Sequence, residues 1–350
     1  MKLLIIGRGY RGVTGDQIEG FDMYKHELRD QLQLDVSRVE LFSLREIEQE
    51  VKTTSADVVL AMTSFTEDPA QLAAMYQRLY ERPRRPKLVY LDYFAQTASP
   101  YFGILPFVDR YVKRQVLKDR AEYQTELRGG YIFADWFSRK YDYDLGGWNF
   151  GSTLDPRYAD RLVKGWSLGV RTEYRRTVAA QRFIGKKLRS RKYDINARLG
   201  LQKRPEREWY EVYREHSQRA VEALRGRFAL TPTERVSYWR YLRELNDSKI
   251  IFSPFGWGEL CYRDYEAVSW GALLMKPSMA HVDVSPNIFI EGETYVPLEW
   301  DSTDLADKVA YWLTATEKAE TIAVAARKKL HEYFEKGGFV ADVKRTLADL

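Results

Sequence analysis

Within the first 115 residues, short β-branched and leucine-rich runs alternate with longer amphipathic stretches, and this rhythm restricts the fold more than any other feature. LLII (3–6), VELF (39–42), DVVLAM (57–62), KLVYLD (87–92) and DRYVK (109–113) have the length and composition of buried strands. FDMYKHELRDQLQ and PAQLAAMYQRLYER carry the period of helices. Parallel strands need a crossover connection, so the alternation predicts a parallel sheet with helices on both faces. An irregular stretch rich in Gly and aromatics follows at 130–170, and beyond it the rhythm resumes with KYDINARL (192–199), KIIFSP (249–254), ALLMKP (272–277) and TYVPLEW (294–300) as strands. EREWYEVYREHSQRAVEALR, TERVSYWRYLRELNDS and YRDYEAVSWG read as the intervening helices. The expected architecture is α/β, with two Rossmann-like domains facing across a cleft (1–170 and 171–330) and a helical tail (331–350) packing back on the first. With 350 residues, each half is long enough to bury its own core.

The formal charge of +5 is unevenly spread. Residues 171–207 hold 13 Lys or Arg against 3 Asp or Glu, so this segment carries +10 and the remainder is slightly acidic. A basic segment between two folded halves suits phosphate ligands or an anionic membrane surface. The single cysteine, Cys261, excludes an intrachain disulfide and a cysteine-rich metal site. No apolar run approaches the length of a membrane span. We expect a cytoplasmic protein, attached peripherally to the inner face of the membrane through 171–207, with no nucleic-acid partner. The rings of Trp136, Phe137, Tyr141, Tyr143, Trp148 and Phe150 form either a sugar-stacking wall or a packed domain junction.

Gly7, Gly9 and Gly12 spell G-x-G-x-x-G after the first strand, a dinucleotide fingerprint. Two readings count against it: the helix is expected only from about Phe21, and VELF ends without an acidic residue for a ribose. The glycines then serve a tight turn beside the cleft, which places Gly9 on the acceptor side. Ligands of open α/β sheets bind outside the carboxyl ends of strands. Among those loops, SPFGWGELCYRDYEA (253–267) is the richest. Gly256 and Gly258 permit close backbone approach, and the following helix N-terminus favours a phosphate. Arg263 adds a fork of donors, and Glu266 can accept two ribose hydroxyls. The alternative is an i,i+3 ion pair between these two side chains, which would stabilise the helix by only a few tenths of a kcal/mol.

This loop, its C-Y-R-x-Y-E-A helix and the G-A-L-L-M-K-P strand resemble the donor-binding half of GT-B glycosyltransferases, especially bacterial and exostosin-like members with an R-x-x-E-A element. The resemblance covers about 190–315 and extends into HVDVSPNIFIEGETYVPLEWDSTDLADKVAYWL. It implies a nucleotide-sugar donor, a glycan or lipid-linked acceptor and no cofactor. Glu266 would contact the ribose and Arg263 the diphosphate, with Glu259, Tyr262 and Lys276 in the same site. Many retaining members carry two glutamates with seven residues between them, whereas here Gly258 occupies that position and Glu259 leaves only six residues before Glu266. Arg198, after a predicted strand, is the positional candidate for a catalytic diphosphate contact; Arg182 and Lys187 also have suitable spacing. A base for the acceptor hydroxyl is sought in the first domain, at Asp16 or Asp92 with His26 behind them. Lys113 and Arg114 would meet an anionic acceptor. His281 and Asp283 lack a third ligand, so no protein-bound metal is expected. The alternatives are a nucleotide-dependent oxidoreductase using GRGYRG, and a non-catalytic nucleotide- or glycan-binding module.

Overall fold

The computed structural model describes residues 1–7, 12–199, 209–232 and 234–350. In the first half, β1 (Lys2–Gly7) leads into α1 (Val13–Met23) and α2 (Lys25–Leu32), followed by β2 (Asp35–Glu40) and α3 (Leu44–Thr53). Next come β3 (Val58–Ala61), α4 (Pro69–Tyr80), β4 (Lys87–Asp92), β5 (Arg110–Lys113), β6 (Gln115–Leu117), α5 (Ile132–Tyr141) and β7 (Leu162–Lys164). Six of these strands form one parallel sheet in the order β2-β1-β3-β4-β5-β7. Strand alternation splits the core across it. Leu4, Ile6, Val59, Leu88 and Tyr90 pack on one face; Leu3, Ile5, Val58, Leu60, Val89 and Leu91 pack on the other.

The second half contains α6 (Thr172–Ile184), β8 (Tyr193–Asn196), α7 (Trp209–Glu222), α8 (Tyr238–Asn246), β9 (Ser248–Phe252), α9 (Tyr262–Ser269) and β10 (Leu273–Pro277). It continues with β11 (Val282–Val284), β12 (Val296–Leu298), α10 (Leu305–Thr314), α11 (Thr316–Glu335) and α12 (Gly338–Leu347). Its sheet runs β12-β10-β9-β8, all parallel. Two features tie the halves together. β6 pairs antiparallel with β11, and α12 returns to the first half, where the Phe339 ring stands edge-on to Phe21 and Trp166 at 5.2 and 5.1 Å. Gly20 makes room for that ring, since a Cβ there would stand 2.5 Å from it. The chain has the GT-B arrangement of two Rossmann-like sheets with a helical C-terminal tail.

Several expectations are corrected. α1 begins at Val13, directly after Gly12, whose φ is +61°, and not near Phe21. VTGDQIEG is a poor helix former, but burial of Ile18 and Phe21 overrides its propensity. β2 is Asp35–Glu40 and not VELF; as an edge strand with few buried side chains it lacks a strong apolar signal, and it ends on an acidic residue beside Gly7. Both grounds for setting aside the glycine fingerprint therefore fail, while Gly9 itself lies outside the described residues. The described part of the basic segment, 171–199, does not stand between the halves. It folds as α6 and β8 within the second half, and Arg191 is buried, donating to the carbonyls of Lys186, Ser248, Trp270 and Gly271. The 130–170 rings form a packed junction: Phe133 lies 4.6 Å from Tyr213, and Trp136 lies 5.3 Å from Trp300.

Asp92, at the end of β4, is fully buried and accepts from Tyr111 Oη (2.7 Å), the Phe94 amide (3.0 Å) and Lys113 Nζ (2.8 Å), itself fully buried. Burial pushes the Lys113 ammonium down, and Asp92 partly restores it. Breaking such a pair from one side leaves an uncompensated charge. Asp92→Asn is expected to lower the unfolding free energy by about 3–5 kcal/mol, whereas Asp92→Leu with Lys113→Met recovers much of that loss. Urea denaturation of both variants checks this.

Candidate functional site

The carboxyl ends of the two parallel sheets face each other across a cavity of about 960 Å³. Its first-half wall comes from the start of α1, from the loops after β2, β3 and β4 and from the end of β5, with Thr14, Phe42, Phe65, Gln96 and Arg114. Its second-half wall comes from the loop after β9, from α9, and from Arg214 on α7 and Tyr241 on α8.

The loop after β9 is built around Asp264. Its carboxylate accepts from Ser253 Oγ (2.6 Å) and the Cys261 amide (2.9 Å), and lies 3.1 Å from Lys276 Nζ, which pins the start of α9 to the ends of β9 and β10. Lys276 is fully buried beneath the loop and does not line the cavity, so its part is to hold the loop rather than to touch a ligand. Gly256 lines the cavity, its amide donating to the Gly258 carbonyl at 3.0 Å. Gly258 turns away from it and presses on the first half, where a Cβ would stand 2.1 Å from the Ala95 oxygen.

Arg263 and Glu266 both line the cavity from α9, and they do not pair with each other. Glu266 accepts from Tyr241 Oη at 2.5 Å, while Arg263 Nη2 donates to the Arg198 carbonyl and its Nε has no partner. Burial pushes the Glu266 carboxyl up; the Tyr241 hydrogen bond and the Arg263 charge oppose the shift without cancelling it. From the first half, Arg114 is buried and donates to Gln17 Oε1 and the Val13 carbonyl (3.2 Å), both neutral, and burial lowers its pKa to about 10. Three guanidiniums, Arg114 from the first half and Arg214 and Arg263 from the second, thus share the cavity with the Glu266 carboxylate.

The other expected residues fall elsewhere. Arg198 is held by Glu244 through two bonds of 2.6 and 2.9 Å, and its side chain does not line the cavity. Glu259 is fully buried between the halves, accepting from the Thr97 amide (3.0 Å) and hydroxyl (2.7 Å), with His281 Nε2 at 3.8 Å. This is a clasp between domains rather than a ligand contact. Tyr262 lines the cavity, and its hydroxyl donates to Asp16 Oδ2 of α1 at 2.5 Å. Asp16 borders the cleft without lining it, 3.4 Å from Arg171. Asp92 and Lys113 are consumed in their interior pair, and Asp283 pairs with Lys164 at 2.6 Å.

The sequence pointed to the carboxyl ends of the strands, KLVYLD (87–92) among them, but to no side chain in the loop after Asp92. There Gln96 is fully buried with both amide atoms unpartnered, and it lines the cavity. Trp257 lines it too, with its indole N–H unpartnered and its ring 5.7 Å from Phe65. No pattern of residue types marks either position; only the contact of Gly258 with Ala95 and Gln96 brings them together.

Residues 175–336, most of the second half, match the model of the glycosyl transferase-like family. No protein of curated function matches the sequence. Among solved structures, the chain is 10% identical to sucrose-phosphate synthase from Thermosynechococcus elongatus, covering 99% of this chain and 98% of that one with a TM-score of 0.52. The values are 10%, 99%, 98% and 0.51 for a UDP-forming α,α-trehalose-phosphate synthase from Burkholderia vietnamiensis. For an alpha-glucosyltransferase solved with UDP and a 13-mer DNA they are 10%, 98%, 100% and 0.50. At such identities the likeness establishes the GT-B fold.

A carboxyl whose pKa is raised by folding contributes stability below its folded pKa, and that contribution is lost as pH rises through it. Glu266→Gln is therefore expected to leave melting at neutral pH unchanged or slightly higher. If the ionised carboxylate accepts ribose hydroxyls, the same change lowers nucleotide affinity by about tenfold and removes the weakening of binding as pH falls through the raised pKa. Thermal melts and calorimetric titrations of UDP and uridine over a pH series that runs upward from the ordinary glutamate range check both.

Proposed function

We propose that the protein transfers a sugar from a nucleoside-diphosphate sugar, with UDP the first candidate nucleotide, to a glycan or lipid-linked acceptor, without a cofactor or a bound metal. The observation that carries this reading is the convergence of Arg263, Arg114 and Glu266 on one cavity between two GT-B halves, the second of which matches a glycosyltransferase family. Glu266 takes the ribose. Arg263 and Arg114 take the diphosphate, whose negative charge grows as the glycosidic bond breaks, so cations fixed in place beforehand stabilise that transition state more than the bound donor. Gln96 and Trp257 are placed to read sugar hydroxyls: an amide offers one acceptor and two donors, and unpartnered buried groups gain most from a ligand that satisfies them. The acceptor enters along the first-half wall, past Phe42 and Phe65. Of the carboxylates considered as base, Asp16 is the one that stays partly exposed beside the cleft, with its partner Tyr262 lining the cavity, whereas Asp92 is fully buried. Peripheral membrane contact through the basic segment belongs to the same reading.

A second reading has one observation behind it. Gly7 ends β1, Gly12 stands at the amino end of α1, and β2 ends on Glu40, which matches the spacing of a dinucleotide site. Visible or near-ultraviolet absorbance of a bound nicotinamide or flavin in purified protein would favour it.

Calorimetric titration with UDP, UDP-hexoses and uridine, together with an assay for released UDP, tests the main reading. Arg263→Ala is expected to weaken UDP by about tenfold or more while changing uridine little, since a charge-assisted contact to phosphate is lost. Gln96→Leu is expected to leave UDP affinity unchanged and lower kcat/KM for the transferred sugar by roughly tenfold or more. Equal losses of UDP and uridine in the arginine variant, or full activity in the glutamine variant, would remove these roles. Tight UDP binding without turnover would identify a binding module.

A further inference from the structure

We propose that the outward faces of α6 and α8 form a single docking surface for an anionic lipid bilayer. Three contacts lay the two helices side by side in the same direction. Tyr238 Oη donates to Glu173 at their amino ends, Asn246 Nδ2 donates to the Ile184 carbonyl (3.4 Å) at their carboxyl ends, and Lys186 pairs with Asp247 just beyond. Tyr174, Val178 and Gln181 turn inward on α6, so the helical period puts Arg176, Ala179 and Phe183 on its opposite face. Glu244 and Leu245 turn inward on α8, which sends Trp239 and Arg243 outward in the same way.

The composition of that surface identifies its occupant. Among the described residues ten large apolar side chains are exposed, and four of them lie here: Phe183 (77%), Trp239 (76%), Tyr238 (50%) and Ile184 (46%). They share the two helices and the end of α6 with the exposed cations Arg176, Lys187 and Arg243. The neighbouring acids are already engaged, Glu173 with Tyr238, Asp247 with Lys186, and Glu244 with Arg198. A soluble polyanion needs only the cations. Aromatic and aliphatic side chains projecting from a basic face match the boundary of an anionic membrane, where the rings enter the headgroup layer and the cations meet phosphates.

The surface also borders the cavity, because Tyr241 of α8 holds Glu266. The inference rests on the sugar-transfer reading only in placing the acceptor at the bilayer; docking itself is independent of transfer.

Co-sedimentation with vesicles of phosphatidylglycerol and phosphatidylcholine, against phosphatidylcholine alone, tests it. The protein is expected to pellet with the anionic vesicles at low salt and to be released as salt rises. Each basic side chain at an anionic surface changes partitioning by about fivefold, so Arg176→Glu with Lys187→Glu and Arg243→Glu is expected to weaken it by roughly a hundredfold or more. Phe183→Ser with Trp239→Ser is expected to weaken it by about tenfold or more. Equal binding to both vesicle types, no binding at low salt, or unchanged binding in either variant would overturn the proposal, as would capture by soluble heparin without vesicle binding. UDP titration of the same variants separates the two readings, since none of these side chains lines the cavity. Vesicle binding with no nucleotide binding in the unmodified protein would sink sugar transfer and leave the docking surface standing.

Discussion

A buried carboxylate holds the two halves together, and the cleft depends on it. Taking the Glu259 charge out of water carries a desolvation cost that only well-placed donors offset. Burial pushes its pKa up, but His281 and Thr97 outweigh that and leave it below its ordinary value. Two of those donors, the Thr97 amide and hydroxyl, belong to the opposite half, so the charge is satisfied only when the halves stand in one relation. Gly258 permits the same approach, with backbone against the backbone of Ala95 and Gln96. Every side chain on the cavity walls inherits its position from that contact.

The cations divide according to what already surrounds them. Arg191 is saturated by carbonyls, Arg198 by Glu244, Lys113 by Asp92, and Lys276 sits beside Asp264 over the face of Phe255. These charges hold loops and helix ends in place. Arg114 and Arg263 instead line the cavity with neutral hydrogen-bond acceptors only, so an incoming diphosphate can meet them without displacing a carboxylate.

Much of the fold was legible in the sequence because strands buried on both faces announce themselves. KLVYLD corresponds residue for residue to β4, and the α9 helix with its following strand stands where the apolar pattern places it. The edge strand β2 and the glycine-bearing α1 were misjudged, since their order comes from tertiary burial rather than local composition. For the site, Arg263, Glu266, Tyr262 and Gly256 line the cavity, because a glycine loop entering a helix at a strand's carboxyl end has a local signature. Arg198 and Asp92 occupy equally suitable positions in the chain. What separates them from Arg263 is whether a counter-charge lies across the fold, in Glu244 and Lys113, and no local spacing encodes that.

α8 shows how closely the two surfaces are joined. Within nine residues it presents Trp239 to solvent, Tyr241 to Glu266 in the cleft, and Glu244 to Arg198, whose carbonyl receives Arg263. A helix this short moves as a rigid rod, so a force on its outer face displaces the phenol that donates to the cleft carboxylate. The Tyr241 hydrogen bond is one of the interactions that keep Glu266 from rising further in pKa, and loosening it would favour the protonated carboxyl. The outer face of α8 and the charge state of the nucleotide wall are thus linked through one side chain.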